Sequence, residues 1–229
     1  MNARPAHPLR AGLEAARANL VPGVALIGFA AGLVAAYGRV PAVGRALDAV
    51  AQIREQWGLA FVVGSTALCG GVLPVLVQQA LAATRSPEHW RVLPFLTIFW
   101  GLKGIEVDLL YRFEAWAIGD DARVSTIVTK VLFDQFVYCP LWAIPSMVAV
   151  FAWREHGYSV GATARALGWR GLASRTLPML VANWGVWVPT VAVIYLLKLP
   201  LQLPVQNIVL CLWSVLVLFM TRRQGRAEA

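Results

Sequence analysis

Between Glu55 and Arg85 the chain reads QWGLAFVVGSTALCGGVLPVLVQQALAAT (residues 56–84), 29 positions without one charged side chain. A helix needs about 20 predominantly apolar residues to cross the hydrocarbon of a bilayer. This stretch is long enough to do so, and it is not alone. Charge-free runs of 21, 19, 22 and 23 residues lie between Arg17 and Arg39, Asp134 and Arg154, Arg175 and Lys198, and Lys198 and Arg222. Over all 229 residues, 59% are hydrophobic and 14% charged, and mean hydropathy is +0.63. A soluble domain carries about 25% charged residues, so this chain has too few to cover a water-facing surface. The reading is an all-α, polytopic membrane bundle.

Spans are expected at about 21–37, 57–81, 90–111, 127–151, 177–197 and 203–220. The first also has the outline of a secretory signal or an Arg-rich presequence, with Val34-Ala35-Ala36 as a cleavage point. Its apolar run exceeds a signal core of about 7–15 residues, so it is read as a retained span. The domain reading is 1–56 for a tail, an extra span and a short amphipathic helix, 57–221 for the main bundle, and 222–229 for a basic tail. The amphipathic helix follows Pro41, with Val43, Leu47 and Val50 on one face. It either lies on the membrane surface or packs on the bundle. Gly70-Gly71 and Pro74 predict a kink or a close-packed point in the second span. Trp57, Trp90, Trp116, Trp153 and Trp169 fall near span ends, where indoles prefer the membrane interface.

Basic residues set the orientation. Twelve fall in the N-terminal tail, the second–third and fourth–fifth loops and the C-terminal tail, against six in the loops of the opposite side, so both termini are expected in the cytoplasm. The formal charge of +8 is spread singly through short loops, which excludes a nucleic-acid stripe and fits anionic lipid. Seventeen of the 20 basic residues are Arg, a bias that suggests a GC-rich bacterial genome and a bacterial cytoplasmic membrane. A mitochondrial or peroxisomal membrane is the alternative. Cys69, Cys139 and Cys211 lie apart in apolar segments with no CxxC spacing, and His7, His89 and His156 lie in the tail or loops. No metal, cofactor or catalytic Ser-His arrangement is therefore expected.

Charges inside the spans break the apolar rule. Lys103, Glu106 and Asp108 fall in the third span, and Lys130, Asp134 and Gln135 at the start of the fourth. Each costs several kcal/mol in hydrocarbon unless paired or hydrated. Lys103 and Glu106 are spaced to pair within one helix, as are Lys130 and Asp134. If the hairpin is centred near Ile118, Lys103 instead meets Asp134 and Glu106 meets Lys130 at equal depths. Asp108 would pair with Arg112. Such residues either line a path for solute or ion, or form an ion-pair network that fixes helix register.

These positions also resemble the Mpv/PMP family, named for the twenty-two-kilodalton peroxisomal membrane protein. The family's Gly-Pro-x-x-His-x-Trp-Tyr is similar to Gly104–Tyr111, which keeps Gly104 and Tyr111 but has Ile105 and Asp108 for the Pro and His. Its Lys-x-x-x-Asp-Gln and following Pro resemble Lys130, Asp134, Gln135 and Pro140. Its later Trp-Pro, Val-Pro and Trp are similar to Trp187 with Pro189, Pro200, and Trp213. The resemblance runs from Trp57 to Thr221. It implies a multispanning protein, without agreed enzymatic activity, that forms a channel for small solutes. A channel or permeability factor is thus the leading expectation, and a non-catalytic scaffold or assembly factor is the alternative. An enzyme using Glu106 and Asp108 is weakest, because a two-residue spacing turns them about 200° apart on a helix. Expected partners are the lipid bilayer, small solutes or ions, and a second copy of the chain.

Overall fold

A computed structural model describes residue 17, residues 20–81 and residues 85–227. The basic tail with Arg4 and Arg10 lies outside them. Seven helices and no strand occur among the described residues: α1 (Leu20–Arg39), α2 (Pro41–Trp57), α3 (Leu59–Ala80), α4 (Pro87–Ala117), α5 (Val124–Glu155), α6 (Val160–Ile194) and α7 (Leu199–Ala227). Among them α3, α5 and α6 are long and apolar enough to cross a membrane. The bent pair of residues 23–39 and α2, turned by 101°, makes a fourth if counted as one span.

Prolines shape two of these helices. The Leu73 N–H bonds to the Leu68 carbonyl, five residues back, immediately before Pro74. In α5 the Ile144 N–H bonds to the Cys139 carbonyl immediately before Pro145, closing a widened π-helical stretch over Asp134–Ala143 that contains Pro140. Proline lacks an N–H and its ring clashes with the carbonyl four residues back, so a widened turn relieves both defects. The expected close-packed point is present at the first of these turns. A Cβ on Gly71 would lie 3.0 Å from the Leu96 carbonyl oxygen, and one on Gly70 would lie 2.5 Å from the Trp100 ring.

The long connection expected between the fourth and fifth spans is mostly helix. Ser159 caps α6 by accepting from the Ala162 N–H at 3.3 Å, and the chain breaks only at Gly168, with φ 50° and ψ −175°. Glycine adopts that left-handed backbone without the Cβ clash other residues suffer. The amphipathic helix after Pro41 packs on the bundle: Leu47 joins Ile194, Leu197, Leu201 and Val205, flanked by Leu33 and Val34 of α1.

Helix α4 is built inside out. Lys103, Asp108 and Glu114 are buried, whereas Ile98, Leu102 and Leu109 stand exposed along its other side. Water-facing helices show the reverse arrangement. Trp116 and Trp169 are 82% and 80% exposed. At the α4–α5 turn, Asp121 accepts from Arg123 Nε at 2.9 Å and Thr126 Oγ1 at 2.9 Å, and these donors hold its carboxyl well below the usual range. Helices α3 to α7 meet in one core of Val62, Leu110, Tyr111, Val131, Val191, Tyr195 and Leu203.

Candidate functional site

Beside this core the five helices line a partly open cavity of about 450 Å³. That volume falls within the range of small-molecule sites, about 300–1,000 Å³. Its walls combine Trp100, Trp187 and Trp213 with the carboxamides of Gln135, Asn183, Gln206 and Asn207. Several carboxamides are held in place. Asn183 Nδ2 donates to Gln135 Oε1 at 3.2 Å, and Trp184 Nε1 donates to the Gln135 carbonyl at 2.7 Å. Asn207 Nδ2 donates to Ser65 Oγ and Thr66 Oγ1, both at 3.0 Å, and the Tyr111 hydroxyl donates to Gln206 Oε1.

The expected cross-hairpin pairs do not form. Lys103 on the cavity wall donates from Nζ to Glu106 Oε1 at 2.8 Å, to Ser146 Oγ at 2.9 Å and to the Ala143 carbonyl at 3.3 Å. Glu106 accepts a further bond from the Tyr138 hydroxyl. Lys130 lies 3.9 Å from Asp120 Oδ1, with Nζ 5.4 Å from the Tyr195 ring centroid. The reason is register. Helix α4 runs to Ala117 and α5 starts at Val124, so the turn centres near 120–121 rather than at Ile118. Glu106 and Lys130 are then about five residues out of step, which at 1.5 Å per residue is about 7.5 Å. Of the expected pairs, Lys103–Glu106 and Asp108–Arg112 are made, the latter with Nε 2.6 Å from Oδ2. The i, i+4 spacing of Lys130 and Asp134 yields no ion pair.

Asp134 joins a different group. Its Oδ2 lies 3.2 Å from the Tyr195 hydroxyl, which lies 2.7 Å from Glu114 Oε2. Cys139 Sγ donates to Asp134 Oδ1 at 3.6 Å. Glu114 is fully buried, and its Oε1 has no hydrogen-bond partner. Asp134, but not Glu114, lines the cavity.

The positions taken from the family resemblance have separate structural places. Trp187 and Trp213 line the cavity, Tyr111 closes one side, and Pro140 lies in the widened part of α5. Gly104 lets α3 and α4 touch: a Cβ there would come within 2.6 Å of Thr66 Oγ1 and 2.8 Å of the Val62 carbonyl oxygen. Pro189 lies within α6, and Pro200 in the first turn of α7.

Residues missed by the sequence reading are Glu114, Tyr195, Arg54 and the carboxamides of α6 and α7. Glu114 carries a usable signal, because it follows Lys103 by eleven residues, three helical turns along one face. Asn183, Gln206 and Asn207 are uncharged, so a search for charges within spans passes over them. Among the described residues no group of His, Cys, Asp and Glu is placed to hold a metal ion. No family model, curated protein or solved structure matches the chain.

Proposed function

We propose that the chain is an integral membrane protein of the Mpv/PMP type that gives small, uncharged polar solutes a path or resting place within its bundle. The carrying observation is the cavity of about 450 Å³ among five helices, walled by carboxamides and indoles. Its ionisable groups are occupied: Lys103 is bonded to Glu106, Ser146 and Ala143, and Asp134 to Tyr195 and Cys139. A neutral solute with donors and acceptors is therefore favoured over an ion. In this reading α4 and the apolar part of α7, Leu199–Val215, also span the bilayer, giving six spans with both termini cytoplasmic. The inside-out burial of α4 and the twelve-to-six split of basic residues support that topology. Glu106 and Asp108 belong to separate bonded groups and do not face each other as an acid–base pair.

Purified protein reconstituted in liposomes tests the reading by light scattering. Swelling with small polyols or amides faster than in protein-free vesicles is expected, and equal rates would sink it. A second reading, a membrane scaffold, draws support from the saturated bonding of Lys103, whose charge serves helix packing alone in that case.

A further inference from the structure

The group formed by Glu114, Tyr195 and Asp134 has more acceptors than protons. A tyrosine hydroxyl carries one proton, yet this one lies within hydrogen-bond distance of two carboxyl groups, 2.7 Å from Glu114 Oε2 and 3.2 Å from Asp134 Oδ2. With both carboxyls ionised, one contact would join two bare oxygens. Glu114 is 0% exposed and its Oε1 meets no donor, a costly setting for a carboxylate and a tolerable one for a neutral acid.

We propose that this triad is a proton-binding site holding one exchangeable proton at the cavity wall. In the resting arrangement Glu114 Oε2–H donates to the Tyr195 oxygen, and the Tyr195 O–H donates to Asp134 Oδ2. The proton reaches the cavity by a paired transfer. Glu114 gives its proton to the Tyr195 oxygen as Tyr195 gives its own to Asp134, so the tyrosine ends neutral and the charge moves from Asp134 to Glu114. Asp134 is the member that lines the cavity, and there it exchanges the proton with solvent. The neighbouring charges fit one proton. Lys130 of α5, 2% exposed and 5.4 Å from the Tyr195 ring centroid, brings one buried positive charge to the group, while its other carboxylate neighbour, Asp120 at 3.9 Å, is 43% exposed and screened by solvent.

Titratable and charged neighbours come from α4, α2, α5 and the α4–α5 turn, while α3 and α7 face the group with apolar Val62 and Leu203. Helix α4 supplies Tyr111, with Asp108 and Arg112 beyond it, and α2 supplies Arg54. Helix α5 supplies Lys130, Cys139 and Tyr138, and the α4–α5 turn supplies Asp120. Lys103 and Glu106 are bonded to each other nearby. Loss of the proton leaves a net negative charge beside the cavity, turning a neutral wall into one that attracts cations.

Infrared spectroscopy of the full chain in lipid nanodiscs reads the proton directly. A protonated carboxyl gives a carbonyl stretch that ionised carboxylates lack and that shifts in D2O. The unmodified protein should show this band at neutral pH and lose it on alkaline titration. Glu114→Gln and Asp134→Asn should each abolish it, since either change leaves one carboxylate facing Lys130. Tyr195→Phe should shift its frequency, and Glu88→Gln, at an exposed carboxyl, should leave it unchanged. Absence of the band in the unmodified protein overturns the proposal without any variant. So does its persistence in whichever of Glu114→Gln and Asp134→Asn folds. The test is separate from solute flux: the band without swelling refutes the permeation reading alone, and swelling without the band refutes the proton site alone.

Discussion

Arg54 and Asp108, 54 residues apart, form a buried ion pair that ties α2 to α4. The same guanidinium reaches α7, with Nη1 donating to the Leu199 carbonyl at 2.6 Å. Asp108 completes its shell with Arg112, whose side chain is 58% exposed. The Arg54–Asp108 pair therefore holds three helices through Arg54, which accounts for an aspartate inside an otherwise apolar stretch.

Arg54→Ala should thus destabilise the protein strongly. Breaking a buried pair costs about 3–5 kcal/mol, and the low end is expected because Arg112 keeps half of the Asp108 shell. Arg112→Ala should cost no more than about 1 kcal/mol, since its exposed guanidinium is screened by solvent. Thermal unfolding in detergent compares the two. Equal losses would show that the buried geometry carries no special weight.

A methyl group added at Gly104 should be poorly tolerated. It would meet the Val62 carbonyl oxygen at 2.8 Å, and that backbone atom cannot rotate away. Gly104→Ala is expected to cost about 1–3 kcal/mol from overpacking, against a helix-propensity gain of about 0.5–1 kcal/mol. Gly28→Ala, with no atom within 4 Å of the added Cβ, receives only the gain. A Gly104→Ala protein as stable as the Gly28→Ala one would disprove the close contact.

Much of this organisation can be read from residues in order, and the rest depends on register. The charge gaps located α1, α3, the apolar part of α5 and the main length of α6 because hydrocarbon excludes unpaired charge whatever the helix contacts. Gly70-Gly71 beside Pro74 marked the widened, close-packed turn, since proline and glycine act through their own backbone. The pairing of Lys103 was less accessible. Both of its candidate acceptors are carboxylates at plausible spacing, and the choice turns on where α4 ends. Six more residues of helix beyond the expected end at Tyr111 moved the turn and took Glu106 and Lys103 out of step with Lys130 and Asp134. Arg54 presented the same difficulty: its partner Asp108 is distant in sequence, and the 101° bend before α2 brings them together.

The register correction makes its own prediction. In double-mutant cycles on thermal stability, Lys103 and Glu106 should be coupled, because Nζ lies 2.8 Å and 3.0 Å from the two carboxylate oxygens. Adjacent groups in one bonded network show interaction energies of about 0.5–3 kcal/mol. Glu106 and Lys130 should show coupling near zero. The reverse ranking would restore the hairpin centred on Ile118.

The cavity itself is tested most directly by filling it. Ala182 lies on its wall beside Met179 and Asn183. An indole at that position has about 450 Å³ to occupy, so Ala182→Trp avoids most of the strain that added volume causes in a packed core. The variant should keep a thermal midpoint near that of the unmodified protein while its liposome swelling falls to the protein-free rate. A smaller change, Gln206→Leu, removes one carboxamide of similar volume and leaves the Tyr111 hydroxyl without its acceptor. That should cost about 1–3 kcal/mol in stability and slow flux about tenfold if the carboxamide contributes one hydrogen bond, worth about 1.4 kcal/mol, to the solute in transit. Folded Ala182→Trp protein that still passes solute at the original rate would place the path elsewhere, since an occupied cavity cannot also conduct.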